Sequence, residues 1–313
     1  MNTLPSSILS IDISKDHLDT DGWPVTWRRH LPNSSAGIAR LIRKAQALQA
    51  FVIFEATSVY DRALMAALEA AGLAYHRANP RKAREFAKAS GFLAKTDRVD
   101  ALMLAEYARR IPLRVSEPAC PLRQALNRLL DRRDQLVTLR KQELTRLKQV
   151  TDEAILAEMK ALISVIAARV ADYEAQIKAH LKAHPELEEE AKRLGSAPGV
   201  ALITASSLLA YLPELGQRSA KAITALVGLA PLARDSGRWR GQRRIWGGRR
   251  KVRALLFLAA RHAEKHPAFA EFAQRLQQAG KPRKQIRIAV ARKLLLALNA
   301  MMGQKRDFCD RPC

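Results

Sequence analysis

The sequence has 313 residues, which is enough for two or three domains of about 100–200 residues each. Hydrophobic residues make up 48% of it, which excludes a broadly disordered chain, and no apolar stretch approaches the roughly 18 residues of a membrane span. The formal net charge of +24 predicts a polyanionic partner, with nucleic acid favoured over an anionic membrane surface or a ribosomal site.

The three cysteines, Cys120, Cys309 and Cys313, have no metal-binding spacing, and such sparse use is typical of a reducing compartment. No charged start precedes a long apolar run, so we expect no signal peptide. These features predict a cytoplasmic protein that associates with nucleic acid and not with a membrane.

Strand and helix patterns alternate along residues 1–115, which predicts one α/β domain. The first strand is expected at 7–14, and a turn at Gly22 and Pro24 could return residues 25–31 as its hairpin partner. A helix capped by Asn33 or Ser34 is expected next and runs to about Leu48, followed by a buried strand at 51–56. A helix at 60–71 and a strand at 74–79 come after it. The domain is expected to end with a basic helix after Pro80 and a helix from Asp97 to Arg110.

Residues 116–194 carry little strand signal and are expected to form a helical arm. One run of apolar residues steps alternately by four and three positions, which is typical of a coiled-coil seam or a long helical hairpin. A structural arm or a contact between subunits is favoured here over any chemistry. The run consists of Met159, Ile163, Ile166, Val170, Tyr173 and Ile177.

Residues 195–302 are expected to be mostly helical, with a Gly- and Arg-rich interruption, and residues 303–313 to form a tail. Pro198 and Gly199 turn the chain between two predicted helices, as in a helix-hairpin-helix element. In such an element, backbone N–H groups at a helix N-terminus can hold a DNA phosphate. An ordinary tight turn explains these two residues about equally well.

Four acidic residues are the strongest candidates for chemistry. Asp12 interrupts the apolar first strand, Glu55 ends the buried strand FVIFE, and Asp97 and Asp100 share one face of a helix. Neighbouring carboxylates repel one another unless a cation lies between them. Oxygen ligands without His or Cys favour Mg²⁺ or Mn²⁺ over Zn²⁺, and such ions promote phosphoryl transfer. Taken singly, each acid could be a surface residue, and Asp97 a helix cap.

The sequence around these acids resembles a known family. IDISKDHLD around Asp12, FEATSVYDRAL around Glu55 and KTDRVDALMLAEYARR around Asp97 and Asp100 resemble the DEDD transposases of bacterial insertion sequences, the insertion-sequence-110 type. This family also includes the pilin-gene invertase Piv. The C-terminal strings APGVALITASSLLAYL, ALVGLAPLARDSG and RRKVRALLFLAARHA agree, so the resemblance spans about residues 7–302 in family order.

The resemblance implies three structural parts. Residues 1–115 would form a RuvC-like (ribonuclease H-like) catalytic domain, whose DEDD metal site the four acids match one by one. Residues 116–194 would form the helical or coiled-coil arm. Residues 195–302 would form a mostly α transposase domain in which Ser236 is the nucleophile. The resemblance also implies a metal site for Mg²⁺, a structured guide RNA that bridges donor and target DNA, and a bacterial host, in whose cytoplasm the protein is expected. Because two duplexes must be held together, we expect a homodimer or tetramer.

A basic segment surrounds Ser236, with nine Lys or Arg and one Asp between Arg234 and Arg253. Forked Arg donors suit phosphate oxygens, so this segment is expected to hold the scissile phosphate, or else only to grip the DNA backbone. Its two tryptophans could stack on unpaired bases or anchor the loop. The residues predicted to bind nucleic acid are Arg234, Arg238, Trp239, Arg240, Arg243, Arg244, Trp246, Arg249, Arg250, Lys251, Arg253, Lys281, Arg283, Lys284 and Arg287.

Three functions are compatible with these features. The favoured one is a transposase or site-specific DNA recombinase, in which Ser236 attacks a DNA phosphate and forms a covalent intermediate. The second is a RuvC-type metal-dependent nuclease that hydrolyses junctions with water and needs no serine. The third is a non-catalytic protein that binds or organises nucleic acid.

Overall fold

The computed structural model describes residues 5–57, 59–92, 97–116, 120–232, 235–236, 239–241 and 243–309. At residues 97–98, 235–236 and 239–240 it describes the backbone alone. The chain divides into two compact units, Met1–Pro118 and Ala119–Cys313. No described helix is long and apolar enough to cross a membrane.

The N-terminal unit contains a five-stranded mixed sheet with the strand order β3-β2-β1-β4-β5. β1, β4 and β5 run parallel, and β2 and β3 add an antiparallel edge. This mixed α/β architecture agrees with the predicted class. Its elements are β1 (Ile8–Ile13), β2 (His17–Trp23), β3 (Arg29–Pro32), α1 (Ser35–Ala47), β4 (Phe51–Glu55), α2 (Arg62–Ala70), β5 (Tyr75–Ala78), α3 (Pro80–Ala89) and α4 (Asp97–Arg110).

The predicted hairpin at the start of the chain is wrong in its pairing. β1 pairs with His17–Trp23, which was not predicted as a strand, and Arg29–Pro32 pairs with β2 instead of β1. The segment HLDTDGW lacks the apolar alternation of a strand because its buried polar side chains form hydrogen bonds with nearby residues of the chain. Thr20 Oγ1 donates to the Trp27 carbonyl at 3.1 Å, and Asp21 accepts from Arg28 Nε at 3.0 Å.

The two faces of the sheet bury different residues. Odd-numbered residues of β1, such as Leu9 and Ile11, pack with Val52 and Phe54 in the cluster that also includes residues of α1 and α2. Ile8, from the opposite face, packs with Ile53 of β4 and with Leu104 and Tyr107 of α4. Because side chains alternate along a strand, Asp12 lies on the α4 face of β1, and Glu55 lies on the same face of β4.

The C-terminal unit is helical apart from short strand pairs. A 3-10 turn at Leu147–Gln149 joins the first two helices, which pack against each other as a hairpin. The elements are α5 (Pro121–Arg146), α6 (Glu153–Lys182), α7 (Pro185–Gly195), α8 (Leu202–Tyr211), α9 (Ala220–Val227), β6 (Pro231–Leu232), β7 (Asp235–Ser236), β8 (Trp239–Arg240), β9 (Arg244–Ile245), α10 (Arg250–Ala263), α11 (Pro267–Gln278) and α12 (Arg283–Gln304).

The apolar run on α6 packs inside the chain. Ile166 and Val170 are 4% and 6% exposed and form a small core with Leu136 of α5. Of the two predicted alternatives, the structure therefore has the helical hairpin. Ile177 belongs to the larger core that includes α8, α10 and α12. The arm thus belongs to the same compact unit as residues 195–302; its separation at residue 194 as a domain of its own stays a prediction, as does its contact between subunits.

The Pro198–Gly199 turn joins α7 to α8, as the sequence predicts. Gly199 has a φ of +80°, and a Cβ there would lie 2.3 Å from the Ala259 carbonyl oxygen of α10. The tight approach to α10 explains the glycine, and the DNA-binding role of this turn stays a prediction. After α12, the predicted tail is anchored where Phe308 N donates to Ser196 Oγ at 2.8 Å.

Candidate active site and nucleic-acid interface

Asp12 and Glu55 lie on neighbouring parallel strands. The pairing of β1 with β4 places Ile11 opposite Phe54, so the next residue of each strand is one of the two acids. Neighbouring strands lie about 4.8 Å apart. Both acids are half-buried and, as shown above, lie on the α4 face. The register therefore places two of the four candidate acids side by side at the carboxyl edge of the sheet.

Helix α4 runs antiparallel to β1 across this face. The Arg109 guanidinium lies 4.8 Å from the ring centre of Trp23, and Trp23 pairs with Ile8 at the start of β1. Nine residues of helix back to Asp100 cover about 13.5 Å, and the four residues from Ile8 to Asp12 cover about 13 Å. These lengths indicate that the N-terminal turn of α4 extends toward the end of the sheet that carries both strand acids.

The N-terminal turn of α4 supplies the other two acidic positions. Asp100 is half-buried, and Asp97 begins the helix one turn earlier. The Asp97 side chain is outside the described residues. Among the side chains that are described, no three of His, Cys, Asp or Glu lie close enough together to hold a metal ion. The donor chemistry of Asp12, Glu55 and Asp100 is oxygen only, which fits Mg²⁺ or Mn²⁺.

A fifth acid, Asp61, was not singled out by the sequence. It is fully buried, and its Oδ2 accepts hydrogen bonds from Thr57 N at 3.1 Å and from Arg77 Nε at 2.7 Å. The Thr57 hydroxyl donates in turn to the Glu55 carbonyl at 3.1 Å. Asp61 therefore fixes the turn that follows Glu55. The only sequence signal for Asp61 was its position as a charged residue directly after Val59 and Tyr60, just before α2.

Ser236 lies in an excursion of the chain between α9 and α10. At its base β6 pairs with β9, and farther out β7 pairs with β8, with Ser236 opposite Trp239. The side chains of Ser236, Trp239 and Arg240, and all of Arg234 and Arg238, are outside the described residues. The structure thus gives the backbone position of Ser236 and not the surroundings of its hydroxyl.

The two ends of this excursion are held together by close backbone contact. A Cβ on Gly228 would lie 2.2 Å from the Gly247 carbonyl oxygen, and a Cβ on Gly248 would lie 2.3 Å from Gly228 N. Arg253 Nη1 donates to the carbonyls of both Gly228 and Gly247. We call this contact the glycine clamp. Because it fixes both ends, the excursion leaves and rejoins the helical core at one point.

Two family models match the sequence in chain order. A model for DEDD transposases of the IS110 type, described as a transposase, matches residues 9–156, and the model of the transposase IS116/IS110/IS902 family matches residues 191–274. The pilin gene-inverting proteins of Moraxella bovis and Moraxella lacunata are each 30% identical to the chain over 242 residues, which covers 74% of this chain and 74% of each relative. The chain belongs to the IS110-type DEDD transposase and recombinase family. It is therefore an enzyme that acts on DNA, in a family that generally uses a divalent metal.

Several cations of this transposase that were predicted to bind nucleic acid have partners within the protein. Arg249 pairs with Glu214, and its Nη1 also donates to the Tyr211 carbonyl at 2.9 Å. Lys251 Nζ lies 2.9 Å from carboxylate oxygens of both Asp131 and Asp134. With Arg253 in the glycine clamp, these residues hold the start of α10 against α5 and the end of α8.

The electrostatics of these contacts follow from burial and pairing. Burial would raise the pKa of Glu214, but the hydrogen bonds and charge of Arg249 outweigh it and hold the pKa below its ordinary value. Burial would likewise lower the pKa of Lys251, but hydrogen bonds with Tyr211, Asp131 and Asp134 outweigh it and raise the pKa. Both side chains are therefore charged at neutral pH, and both charges are compensated inside the transposase.

A further predicted residue, Arg287, also has an internal partner. Its Nη2 lies 3.1 Å from Glu264, and its guanidinium lies 5.3 Å from the centre of the Phe257 ring. Other predicted cations are exposed and form no salt bridge within the described part of the transposase: Arg243, Arg244, Arg250, Lys281, Arg283 and Lys284. Trp246 is 54% exposed. The basic residues of the C-terminal unit therefore fall into a paired set and an exposed set.

Proposed function

We propose that this transposase cuts and rejoins DNA with Ser236 as nucleophile and a divalent metal, Mg²⁺, held by Asp12, Glu55, Asp97 and Asp100. The observation that carries the proposal is the placement of the acids. The β1–β4 register sets Asp12 beside Glu55, and α4 brings its acidic first turn to the same end of the same sheet face. If each acid were only a surface residue, there would be no reason for two strands and a helix to carry all of them toward one end of one sheet face.

The chain's own residues divide the work of one strand transfer. Ser236 Oγ forms a bond to the phosphorus, the bond from phosphorus to the departing strand's oxygen breaks, and that oxygen takes up a proton. Exposed Arg residues of the excursion stabilise the negative charge that develops on the phosphate. A hydroxyl of the recipient strand then displaces Ser236, so the strands are rejoined without ATP.

The metal site has a limited role in this scheme. When bound there, a divalent ion supplies Lewis-acid stabilisation of the phosphoryl oxygens. Asp12, Glu55 and Asp100 would contribute oxygen ligands, and Asp61 keeps the turn after Glu55 in place. Without an ion the four carboxylates would repel one another and favour protonation, so a bound cation would allow all four to stay ionised together.

The proposal includes a structured guide RNA and an oligomer. A net charge of +24 suits more than one bound polyanion. Recombination requires that two duplexes be held together, which suits a dimer or tetramer. The outer face of the arm offers apolar surface for such a contact, since Ile155, Leu162 and Val165 of α6 are 49%, 47% and 59% exposed.

The test is to incubate the purified protein and Mg²⁺ with a supercoiled plasmid that carries the gene and its flanking DNA. Transcripts of the flanking non-coding segments are added as the RNA. In the wild type, we expect a covalent protein–DNA adduct on a denaturing gel, and chelation of the metal should abolish it. Ser236→Ala should form no adduct, and Asp12→Asn should lower its rate by at least about a hundredfold.

Asp16→Asn provides the matched control, since Asp16 is an exposed acid just beyond β1. It should form the adduct at the wild-type rate. A RuvC-type nuclease would contradict the proposal by cutting DNA as well in Ser236→Ala as in the wild type. Equal activity of Asp12→Asn and Asp16→Asn would contradict the metal site.

A further inference from the structure

A cavity of about 970 Å³ lies in the C-terminal unit, at the base of the excursion. Pro231 of β6 and Ile245 of β9 form one side, and the facing ends of α11 and α12 form the other. Binding pockets for small molecules have volumes of about 300–1,000 Å³, so the cavity has room for a ligand of nucleotide size or larger. The described residues that line it include none of the proposed catalytic residues.

The cavity walls carry positive charge without compensation. Among the described residues that line the cavity, none is acidic. No salt bridge within the described ranges involves any of its cations, in contrast to Arg249 and Lys251. A ligand with several negative charges would replace water around these cations. The cations are Arg243, Arg244, Arg275, Lys284, Arg292 and Lys293.

The floor of the cavity is apolar and includes an aromatic ring. Leu229, Phe272, Ile288 and Leu296 line it, and Phe272 is half-buried. The Arg275 guanidinium and the Lys293 ammonium lie 5.5 and 5.2 Å from the centre of the Phe272 ring. A ligand that consists only of phosphate groups would make no apolar or stacking contact with this floor. A planar base, with its sugar–phosphate backbone at the rim, matches both the floor and the charges.

We infer that this cavity binds an unpaired stretch of a nucleic-acid strand, with one base on the Phe272 floor and the adjoining phosphates on the cations of the rim. A paired base cannot reach a recessed apolar floor while it stays stacked in its duplex. An acidic peptide would satisfy the cations and leave the floor and the aromatic ring unused.

The position of the cavity relates it to strand cleavage. Pro231 lines the cavity and lies five residues before Ser236, so the chain limits the distance between their Cα atoms to about 18 Å. A strand that leaves the duplex at the scissile phosphate therefore has a binding site within a few nucleotides. This last step rests on the proposed function of Ser236, whereas binding itself does not require that serine.

The test compares binding of a labelled oligothymidine of about ten nucleotides with binding of a blunt-ended duplex that has no unpaired bases, by fluorescence anisotropy with the full chain. Phe272→Ala combined with Arg292→Ala should weaken the single strand at least tenfold and the duplex less than threefold. Arg261→Ala, which removes an exposed cation of α10 outside the cavity, should change neither. If the first double variant does not fold, Arg292→Ala combined with Lys284→Ala replaces it, because both of these residues are exposed. This variant should also weaken binding of the single strand more than binding of the duplex.

A direct readout is photocrosslinking of an oligonucleotide that contains 5-bromouracil. Crosslinked peptides should come from α11, α12 or the base of the excursion. Equal weakening of single strand and duplex, no weakening of either, or displacement of the oligonucleotide by polyglutamate at lower concentration than by unlabelled oligothymidine would each overturn the inference.

The two proposals fail separately in these experiments. If Ser236→Ala still forms covalent adducts while the cavity variants lose the single strand, the proposed nucleophile is wrong and the cavity stands. If Ser236→Ala forms no adduct while the cavity variants bind the single strand normally, the cavity inference is wrong and the nucleophile stands.

Discussion

In the N-terminal unit the candidate acids lie on β1, β4 and α4 themselves, whereas in the C-terminal unit Ser236 lies beyond the glycine clamp, on a two-residue strand. Strand register and helix packing place the acids directly. The serine is placed indirectly, through a clamp that fixes only the ends of its segment. The regular scaffold therefore determines the positions of the proposed metal ligands, while a backbone contact between glycines determines where the segment that carries the proposed nucleophile begins.

Replacing a glycine of the glycine clamp should have the largest effect on the C-terminal unit. Gly248→Ala would place a Cβ 2.3 Å from Gly228 N at a φ of +67°, and we expect it to destabilise the C-terminal unit by at least about 3 kcal/mol. Adduct formation should fall with it, because the ends of the excursion separate. Thermal denaturation and the adduct assay measure the two effects.

Gly247→Ala is the control for this substitution. Gly247 has a φ of +68°, almost the same as its neighbour, but a Cβ there would meet nothing within 4 Å. It should lower the free energy of unfolding by only about 1 kcal/mol, because an alanine adopts the left-handed backbone conformation less readily than a glycine. If both substitutions destabilised the protein equally, backbone conformation and not the close contact would account for the two glycines.

Removing Asp61 tests the corresponding support in the N-terminal unit. Asp61→Ala leaves Thr57 N and Arg77 without their acceptor, and we expect a loss of about 2–3 kcal/mol in the free energy of unfolding. Strand cleavage should fall about a hundredfold in protein that is still folded, since the turn after Glu55 is no longer fixed. Urea denaturation and the cleavage rate are the measurements.

Two variants distinguish the role of Asp61 from a general effect of charge. Asp61→Asn keeps an oxygen acceptor and should recover part of the lost stability and activity. Asp16→Ala removes an exposed carboxylate from the same unit and should change the stability by less than about 0.5 kcal/mol. Activity that is normal in Asp61→Ala would mean that strand register alone holds Glu55.

The smallest expected effect concerns the Arg249–Glu214 pair beside the clamp. Because the folded-state pKa of Glu214 is depressed, the pair stabilises the protein above the ordinary pKa of 4.5, and this stabilisation is lost as the pH falls through the folded-state pKa. Wild type should exceed Glu214→Gln by about 1 kcal/mol at pH 7. The difference should shrink from about pH 5 downward, as measured by urea denaturation at each pH. A difference that stayed constant with pH would show that packing, not charge, distinguishes the two proteins.

The regular parts of the N-terminal unit were predictable because their patterns are local. Ser34 caps α1 as expected, since its hydroxyl accepts from Gly37 N, and β4 and α4 have the expected positions. β2 was not predictable from its alternation, because Thr20 and Asp21 are polar residues that the structure buries against hydrogen-bond partners seven residues farther along the chain. From sequence alone, a polar residue is predicted to lie at the surface unless the hydrogen-bond partner that allows its burial is known.

The candidate site was predictable to different degrees in its parts. The four acids stand out because each interrupts an apolar pattern or shares a helix face, and family resemblance joined them. Ser236 came from the resemblance alone, since a serine beside a glycine is ordinary turn chemistry. The sequence could not show which cations are paired inside the protein and which are exposed, because the partners of Arg249 and Lys251 lie 35 and 120 residues away.

The glycine clamp also affects how this enzyme can vary. A segment whose ends are joined is a closed loop to the rest of the unit, so residues can be added or lost inside it without moving α9 or α10. The entropic cost of such a change grows slowly, by about 0.6 kcal/mol for each doubling of a flexible loop. We therefore expect this core to tolerate changes in length between Gly228 and Gly247, and an excursion of different length that is grafted at those two glycines should leave α9 and α10 in place.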